Sequence, residues 1–399
     1  MAVLISLKNK AKHCISKSPP LSVRDDFLRY SDSSFPFSLK KEISKSCEKR
    51  GRRSLILVND TPLQKVWVKS KESGVLSPAA YTVTNNQGLV TTSEEHTDFE
   101  VYAQNSVVRI VDGANMNIAV IQRPHLRHYR TTRIPHQIEH FEILQSFKQI
   151  YDEVFRTLPP WHPREYPLST KMDGRIIEVS YPSGLATRFA PFTEPRRRSS
   201  FFRLPLIHLR LGANVDQITE EFAHALHFSL LNRSTKIRIE GEYIAWMTSD
   251  LIQGGNARHM YDWQTNDMVA FIESFAHFAC AYRETDVTLS HQQRVREFYT
   301  LFDSGRLRDL NRNRFPIDYQ NIFSTTVNVE GAVMATLFVD YARNSQIGLD
   351  MVVRTFVTSN SLTLLEYAEW IESNYGEHST EYTLLQDAIT HRFTNFQWQ

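Results

Sequence analysis

The run DQITEEFAHALHFSLL, from Asp216 to Leu231, decides how this chain is read. As a helix it sets Glu220 and His224 four residues apart on one face, with Glu221 beside them and His227 three residues beyond His224. Side chains three and four apart on a helix lie next to one another. The segment therefore gathers two carboxylates and two imidazoles into one small patch.

Helices of the form H-E-x-x-H hold zinc through two imidazoles one turn apart, and the Glu between them takes a proton from water. Here the string is E-E-x-x-H. Glu221 stands at the general-base position and His224 at the second ligand position, but Glu220 stands where the first imidazole belongs. A zinc hydrolase also needs a third protein ligand and an open position. A second amphipathic run, NDMVAFIESFAHFACAYR, spans residues 266–283 and carries Glu273 on an otherwise apolar face, with His277 one turn on. A carboxylate there is costly to bury unless it is paired or bound to metal.

Composition bounds the remaining possibilities. A chain of 399 residues with 41% apolar and 12% aromatic content has enough material for one large core or two smaller ones. A net charge of +2 implies no broad nucleic-acid or membrane field. Cys14, Cys47 and Cys280 are odd in number and widely spaced, which is neither a disulfide framework nor a thiolate metal site. No apolar run nears the roughly 20 residues that span a bilayer, and MAVLISL precedes its lysines in the wrong order for a secretory signal. The compartment stays open between the cytoplasm and secretion as an effector. No phosphate-cradling Gly loop, G-x-S-x-G elbow or Cys/His nucleophile pairing is evident.

The organisation outward from the site is α+β. Residues 1–52 read as a basic, Ser-rich tail, and residues 53–130 as a small antiparallel β module of short β-branched runs separated by turn signals. Residues 131–399 form the main domain, with its core at 135–290 and a helical C-terminal region. Pro135 opens a helix with an apolar stripe from Ile138 to Val154. Strands are expected over 175–181 and 204–211, a basic loop over 194–200, and a loop-rich stretch over 232–264. Helices are then expected at 292–302, 331–343, 349–357 and 364–373. Asn232-Arg-Ser is a formal glycosylation sequon.

ITEEFAHALH followed by TNDMVAFIESFAHF resembles the gluzincin zinc metallopeptidases, closest to the anthrax lethal-factor-like group. The resemblance covers roughly residues 135–290. It implies a zincin-like domain that hydrolyses peptide bonds with metal-activated water. His224 and Glu273 would be metal ligands, Glu221 the general base, and Tyr261, just before the second helix, the oxyanion stabiliser. It also implies an edge strand near 204–211 that pairs with an extended peptide, and by analogy alone a toxin or effector role.

At Glu220 three readings stay open. Glu220 itself ligates Zn2+, giving a weaker, more anionic site. Alternatively His277 or His227 supplies the missing imidazole. In the third, zinc is absent, the enzyme is inert, and the groove serves as a protein-binding module.

Overall fold

The computed structural model describes residues within 52–394, apart from 73–79, 93–95, 114–119, 124–134, 160–176, 196–204, 253–263, 308–318 and a few isolated positions. The expected N-terminal tail, most of the basic loop and Tyr261 lie outside the described residues. In chain order the strands are β1 (Arg52–Leu55), β2 (Leu57–Val58), β3 (Thr61–Pro62), β4 (Trp67–Glu72), β5 (Ala80–Val83), β6 (Leu89–Thr92), β7 (His96–Tyr102), β8 (Val108–Asp112), β9 (Val120–Arg123), β10 (Ile177–Tyr181), β11 (Phe192–Glu194) and β12 (Leu206–His208). The helices are α1 (Pro135–Glu153), α2 (Gly184–Phe189), α3 (Val215–Leu230), α4 (Arg233–Ile252), α5 (Asp267–Arg283), α6 (His291–Asp303), α7 (Glu330–Ala335), α8 (Leu349–Thr358), α9 (Leu364–Tyr375) and α10 (Thr380–Arg392). The fold is mixed α+β. None of the described helices is long and apolar enough to cross a membrane.

The described residues fall into two compact units, one drawn from Met1–Tyr102 and Val120–Ile134, the other from Ala103–Ala119 and Pro135–Gln399. In the first, β5, β4, β7 and β9 form an antiparallel sheet in that order, and β1 pairs with β6 and β2 with β3, also antiparallel. The antiparallel character follows from the short, turn-separated runs.

The second unit holds the strand VRIVD, which the sequence pattern had grouped with the N-terminal module. β8 pairs in parallel with β10, β10 in parallel with β12, and β11 antiparallel with β12, giving the order β11-β12-β10-β8. Val108, Ile110, Ile177, Val179 and Ile207 are wholly buried. A run this apolar suits a parallel sheet covered on both faces better than a half-solvated hairpin. The outer side of β8 is taken by Ala103 and Gln104, through Ile110 N to Ala103 O at 2.8 Å and a bridge between Gln104 and Arg109. Among the described residues β11 is therefore the open edge. The edge strand expected over 204–211 is an interior strand instead. The edge comes from Phe192–Glu194, whose three residues are too few to carry an alternating pattern.

α1 docks on the sheet through His140, whose Nε2 donates to Tyr181 O at 2.7 Å, while the Tyr181 hydroxyl donates to Glu139 at 3.2 Å. It meets α3 through Phe147 and Phe222, with rings edge-on at 5.0 Å. α5 is the central helix. Residues Met268–Ala276 are all buried, which is what an apolar surface on every side of a helix requires. Around it Phe271 stacks on Phe356 at 4.4 Å, and Phe278 on Phe338 at 4.4 Å.

Two further expectations change. The stretch read as loop-rich contains the 20-residue α4. Its start is marked by Asn232, whose Oδ1 accepts from Thr235 N at 2.9 Å, so the sequon asparagine serves as a helix cap. Its charges and the mid-helix Gly241 blur the apolar stripe. The helix expected over 331–343 is divided between α7 and a π-helical turn, Thr336–Tyr341. That turn brings Phe338 into the aromatic core.

Candidate metal centre

α3 begins with a capping box: Asn214 Oδ1 accepts from Gln217 N at 2.9 Å, and Gln217 Oε1 accepts from Asn214 N at 3.3 Å. α5 begins with a simple N-cap at Asn266, whose Oδ1 accepts from Val269 N at 2.7 Å. The helices pack against each other along their length. Contacts between them run in opposite numerical order, Asp216 with Arg283 at 3.1 Å and His224 with Glu273 at 2.9 Å, so the two are antiparallel.

Along this seam Glu220, His224 and Glu273 each place one ligand atom within 4.8 Å of the others. His224 is 6% exposed, Glu273 is 2% exposed, and Glu220 is half-buried. A metal with ligands at about 2.1 Å separates its donors by roughly 3 to 3.5 Å. The His224–Glu273 pair, at 2.9 Å, is close to that spacing, and Glu220 brings a carboxylate oxygen within 4.8 Å of both. His224 Nδ1 is buried without a hydrogen-bond partner among the described residues. Two carboxylate oxygens and one imidazole suit a divalent ion that accepts mixed O/N ligation, Zn2+ among them. The residues present therefore fit such an ion.

Glu221 lies on the sheet side of the same helix. Its carboxylate accepts from Thr193 Oγ1 at 2.7 Å, and its backbone carbonyl accepts from the same hydroxyl at 3.0 Å. Thr193 is held in place from the opposite face of β11. Phe192 stacks on His208 at 4.4 Å, Glu194 lies 3.2 Å from His208 Nε2, and His208 Nδ1 meets Ser183 Oγ at 3.0 Å. Strand alternation then turns Thr193 toward α3.

The cluster sets its own protonation. Burial pushes Glu221 up to about 8, and the charges of Glu220 and Glu273 add to the rise, against the opposing effects of His224 and Thr193. For His224, burial alone would depress the imidazole. The charge and hydrogen bond of Glu273, with Glu221 and Glu220, more than reverse this and hold it near 9. Without added positive charge the seam thus favours an imidazolium against Glu273 and a protonated Glu221. A cation there would draw Glu221 back to its ionised form.

The other sequence-nominated residues separate. His227 is wholly buried among Phe228, Phe275 and Phe356, with both ring nitrogens unpartnered among the described residues. Burial, helped by the His224 charge, lowers it to about 3, so it is a neutral core ring. His277 does not join the group around a possible ion; its Nε2 pairs instead with Glu330 at 2.9 Å. Burial works against its protonation, yet the hydrogen bond and charge of Glu330, with Glu220 and Glu273, raise it above the ordinary value.

Three participants were not visible in the sequence. Thr193 and Glu330 arrive from elements distant in the chain. Tyr243 of α4 is half-buried, its ring packed against the cluster of Phe228, Met268 and Ile272. Burial raises its phenol well above 10, and Glu273, Glu221, Glu330 and Glu220 push it further, so it stays a neutral donor beside the carboxylates. Only recognition of α4 as a helix would have nominated it.

No family model matches the chain, and neither a curated protein nor a solved structure is significantly similar to it.

Proposed function

We propose that the second unit is a zincin-like domain and that the protein is a zinc-metallopeptidase-like hydrolase. The observation that carries this reading is the convergence of His224 and Glu273 from two separate helices with Glu220 at their side. It is supported by an open antiparallel edge strand directly beside the candidate base.

Zn2+ held by Glu220, His224 and Glu273 would supply Lewis acidity, polarising a peptide carbonyl and easing deprotonation of water. Glu221 takes up that proton and passes it to the leaving amine. Thr193 fixes the carboxylate's orientation from β11. The outer edge of β11 offers main-chain groups to an extended peptide. Tyr261 keeps the oxyanion role that the family resemblance gives it, and Tyr243 is a second neutral phenol near the carboxylates. With two anionic ligands the site acidifies water less than one built on two imidazoles.

One observation favours a second reading. The His224–Glu273 contact of 2.9 Å closes the seam as an ion pair with no cation required. On that reading the domain is an inert pseudopeptidase that binds a protein through its groove.

The deciding experiment measures zinc per chain and hydrolysis of a fluorogenic peptide mixture. The enzyme reading expects stoichiometric zinc, its loss in His224→Ala, and hydrolysis abolished in Glu221→Gln with zinc retained. A zinc-free, inactive wild type that gains zinc on Glu220→His establishes the pseudopeptidase. Zinc in neither form overturns the zincin reading.

A further inference from the structure

The face of β11 turned away from α3 holds a second constellation, in which a hydroxyl, an imidazole and a carboxylate stand in series. Ser183 Oγ lies 3.0 Å from His208 Nδ1, and His208 Nε2 lies 3.2 Å from Glu194 Oε1. A nucleophile, a base within hydrogen-bond reach and a group that orients the base are the parts of an acyl-transfer site. Three strands supply them: His208 ends β12, Ser183 follows β10 by two residues, and Glu194 ends β11. No local pattern announces the set. The string Tyr181-Pro182-Ser183-Gly184-Leu185 lacks the glycines of a G-x-S-x-G elbow, and the imidazole lies 25 residues further on.

Each group is held in place. In the β11–β12 register Phe192 stands directly across from His208 and stacks on its ring at 4.4 Å, and Glu194 is the diagonal neighbour. The contact of Nε2 with Glu194 is one of charge rather than an aligned hydrogen bond. It favours the proton on Nε2, which leaves Nδ1 to accept from the serine hydroxyl. Ala186 N approaches Ser183 Oγ only to 3.5 Å, a weaker contact than the one to His208. The turn that carries the serine is clamped on two sides. Ser183 N donates to Leu209 O at 2.8 Å, and a side chain at Gly113, just past β8, would collide with Pro182 O. Ser183 and His208 are buried, which keeps bulk water from the pair. Immediately after the serine the surface opens: Gly184 and Leu185 are exposed, and the space beside Gly184 is empty.

We propose that Ser183, His208 and Glu194 form a serine acyl-transfer site for carboxylic esters with an apolar acyl group, separate from the α3–α5 seam. His208 Nδ1 takes the hydroxyl proton as Ser183 Oγ bonds to the acyl carbon. The ester C–O bond then breaks, and the departing oxygen takes that proton. Water, deprotonated by the same nitrogen, attacks the acyl-serine, and Oγ leaves with its proton restored. Glu194 positions the imidazole and stabilises its charged form. Leu185 and Leu211, 48% and 54% exposed, stand on the two loops that the Ser183–Leu209 hydrogen bond joins, and they offer apolar surface to the acyl chain. No step uses an ion, so the site stands apart from the metal reading.

The test treats the full chain, with and without a metal chelator, with a fluorophosphonate probe and with p-nitrophenyl butyrate. One label per chain is expected, mapped to Ser183 by peptide mass spectrometry, together with ester hydrolysis that the chelator leaves unchanged. His208→Gln should slow labelling by about 100-fold or more. Glu194→Gln should slow it less, and Glu194→Asp should recover part of that loss. Circular dichroism checks the fold of each variant, and the position of the label on the wild type decides the matter without them. No label on the wild type, a label mapped elsewhere, or labelling that survives Ser183→Ala or His208→Gln overturns the serine site and leaves the metal reading intact. Ester hydrolysis that the chelator abolishes assigns the turnover to the seam and overturns the serine site as well.

Discussion

Thr193 Oγ1 shares one hydrogen between the carboxylate and the carbonyl of Glu221, at 2.7 and 3.0 Å. One strand residue thus orients the candidate base and offsets part of the rise that burial imposes on its carboxyl. Thr193→Val keeps the β-branched shape and removes the donor, so the ionised carboxylate loses an interaction that favours it. The acid limb of the pH–rate profile for peptide hydrolysis should move to higher pH by about one unit, on the order of 1.4 kcal/mol. Metal content should be unchanged. An unmoved limb would mean that Thr193 only anchors the strand.

Glu220→His restores two imidazoles one turn apart beside Glu221. It removes one of the carboxylates that repel each other along the seam. Zinc affinity, read by competition with a chromophoric chelator, should rise at least tenfold, equivalent to about 1.4 kcal/mol. Glu220→Gln should lower it. An equal or weaker affinity in Glu220→His would show that residue 220 does not face the ion.

His227 is a titratable ring where a hydrocarbon would serve better. Two buried, unpartnered nitrogens cost on the order of 1–3 kcal/mol, so His227→Phe should stabilise the fold at neutral pH. The pH dependence has a definite sign. Folding lowers this group from 6.5 to about 3, so the folded chain binds fewer protons there than the unfolded chain. The penalty is absent above pH 6.5, grows as pH falls below it, and levels off below about 3. The advantage of His227→Phe in urea unfolding should widen by about 2 kcal/mol between pH 7.5 and 5.0. Parallel stability curves for the two proteins would contradict a neutral core ring.

Arg392 is a buried pin at the end of α10. Its Nε and Nη2 donate to Asp340 at 2.5 and 3.1 Å, and Nη1 donates to the carbonyls of Tyr319, Gln320 and Ile322 at 3.1, 2.9 and 3.3 Å. Arg392→Met leaves the carboxylate and three carbonyls without their donor and should cost about 3 kcal/mol in denaturant unfolding. Arg392→Lys should recover only part of the loss, because a point charge cannot span the fork. A cost below about 1 kcal/mol would show that water replaces the guanidinium freely.

The parts of this molecule legible in its sequence are those whose signals are local. α1 and α5 carry apolar residues at helical spacing with Pro or Asn at the start, and both lie where that pattern puts them. The Glu220–His224 pairing is readable because a helix alone brings residues four apart together. Glu273 was readable because a lone acid among Phe271, Phe275 and Phe278 demands an explanation. α4 was not, since Lys236, Arg238, Glu240 and Glu242 break its stripe and Gly241 interrupts it. β11 was too short, and Thr193 and Glu330 reach the seam across 28 and 53 residues of chain, which no local pattern encodes.

The alternation of acid and base along α3 and α5 also acts as a vernier. Slide one helix along the other by a single turn in one direction and His224 faces His277; slide it the other way and Glu220 faces Glu273. Either misalignment stacks like against like, while only the native one interleaves opposites from Asp216–Arg283 through to His224–Glu273. The side chains nominated for chemistry therefore also favour one register of the two central helices over its neighbours, with or without an ion.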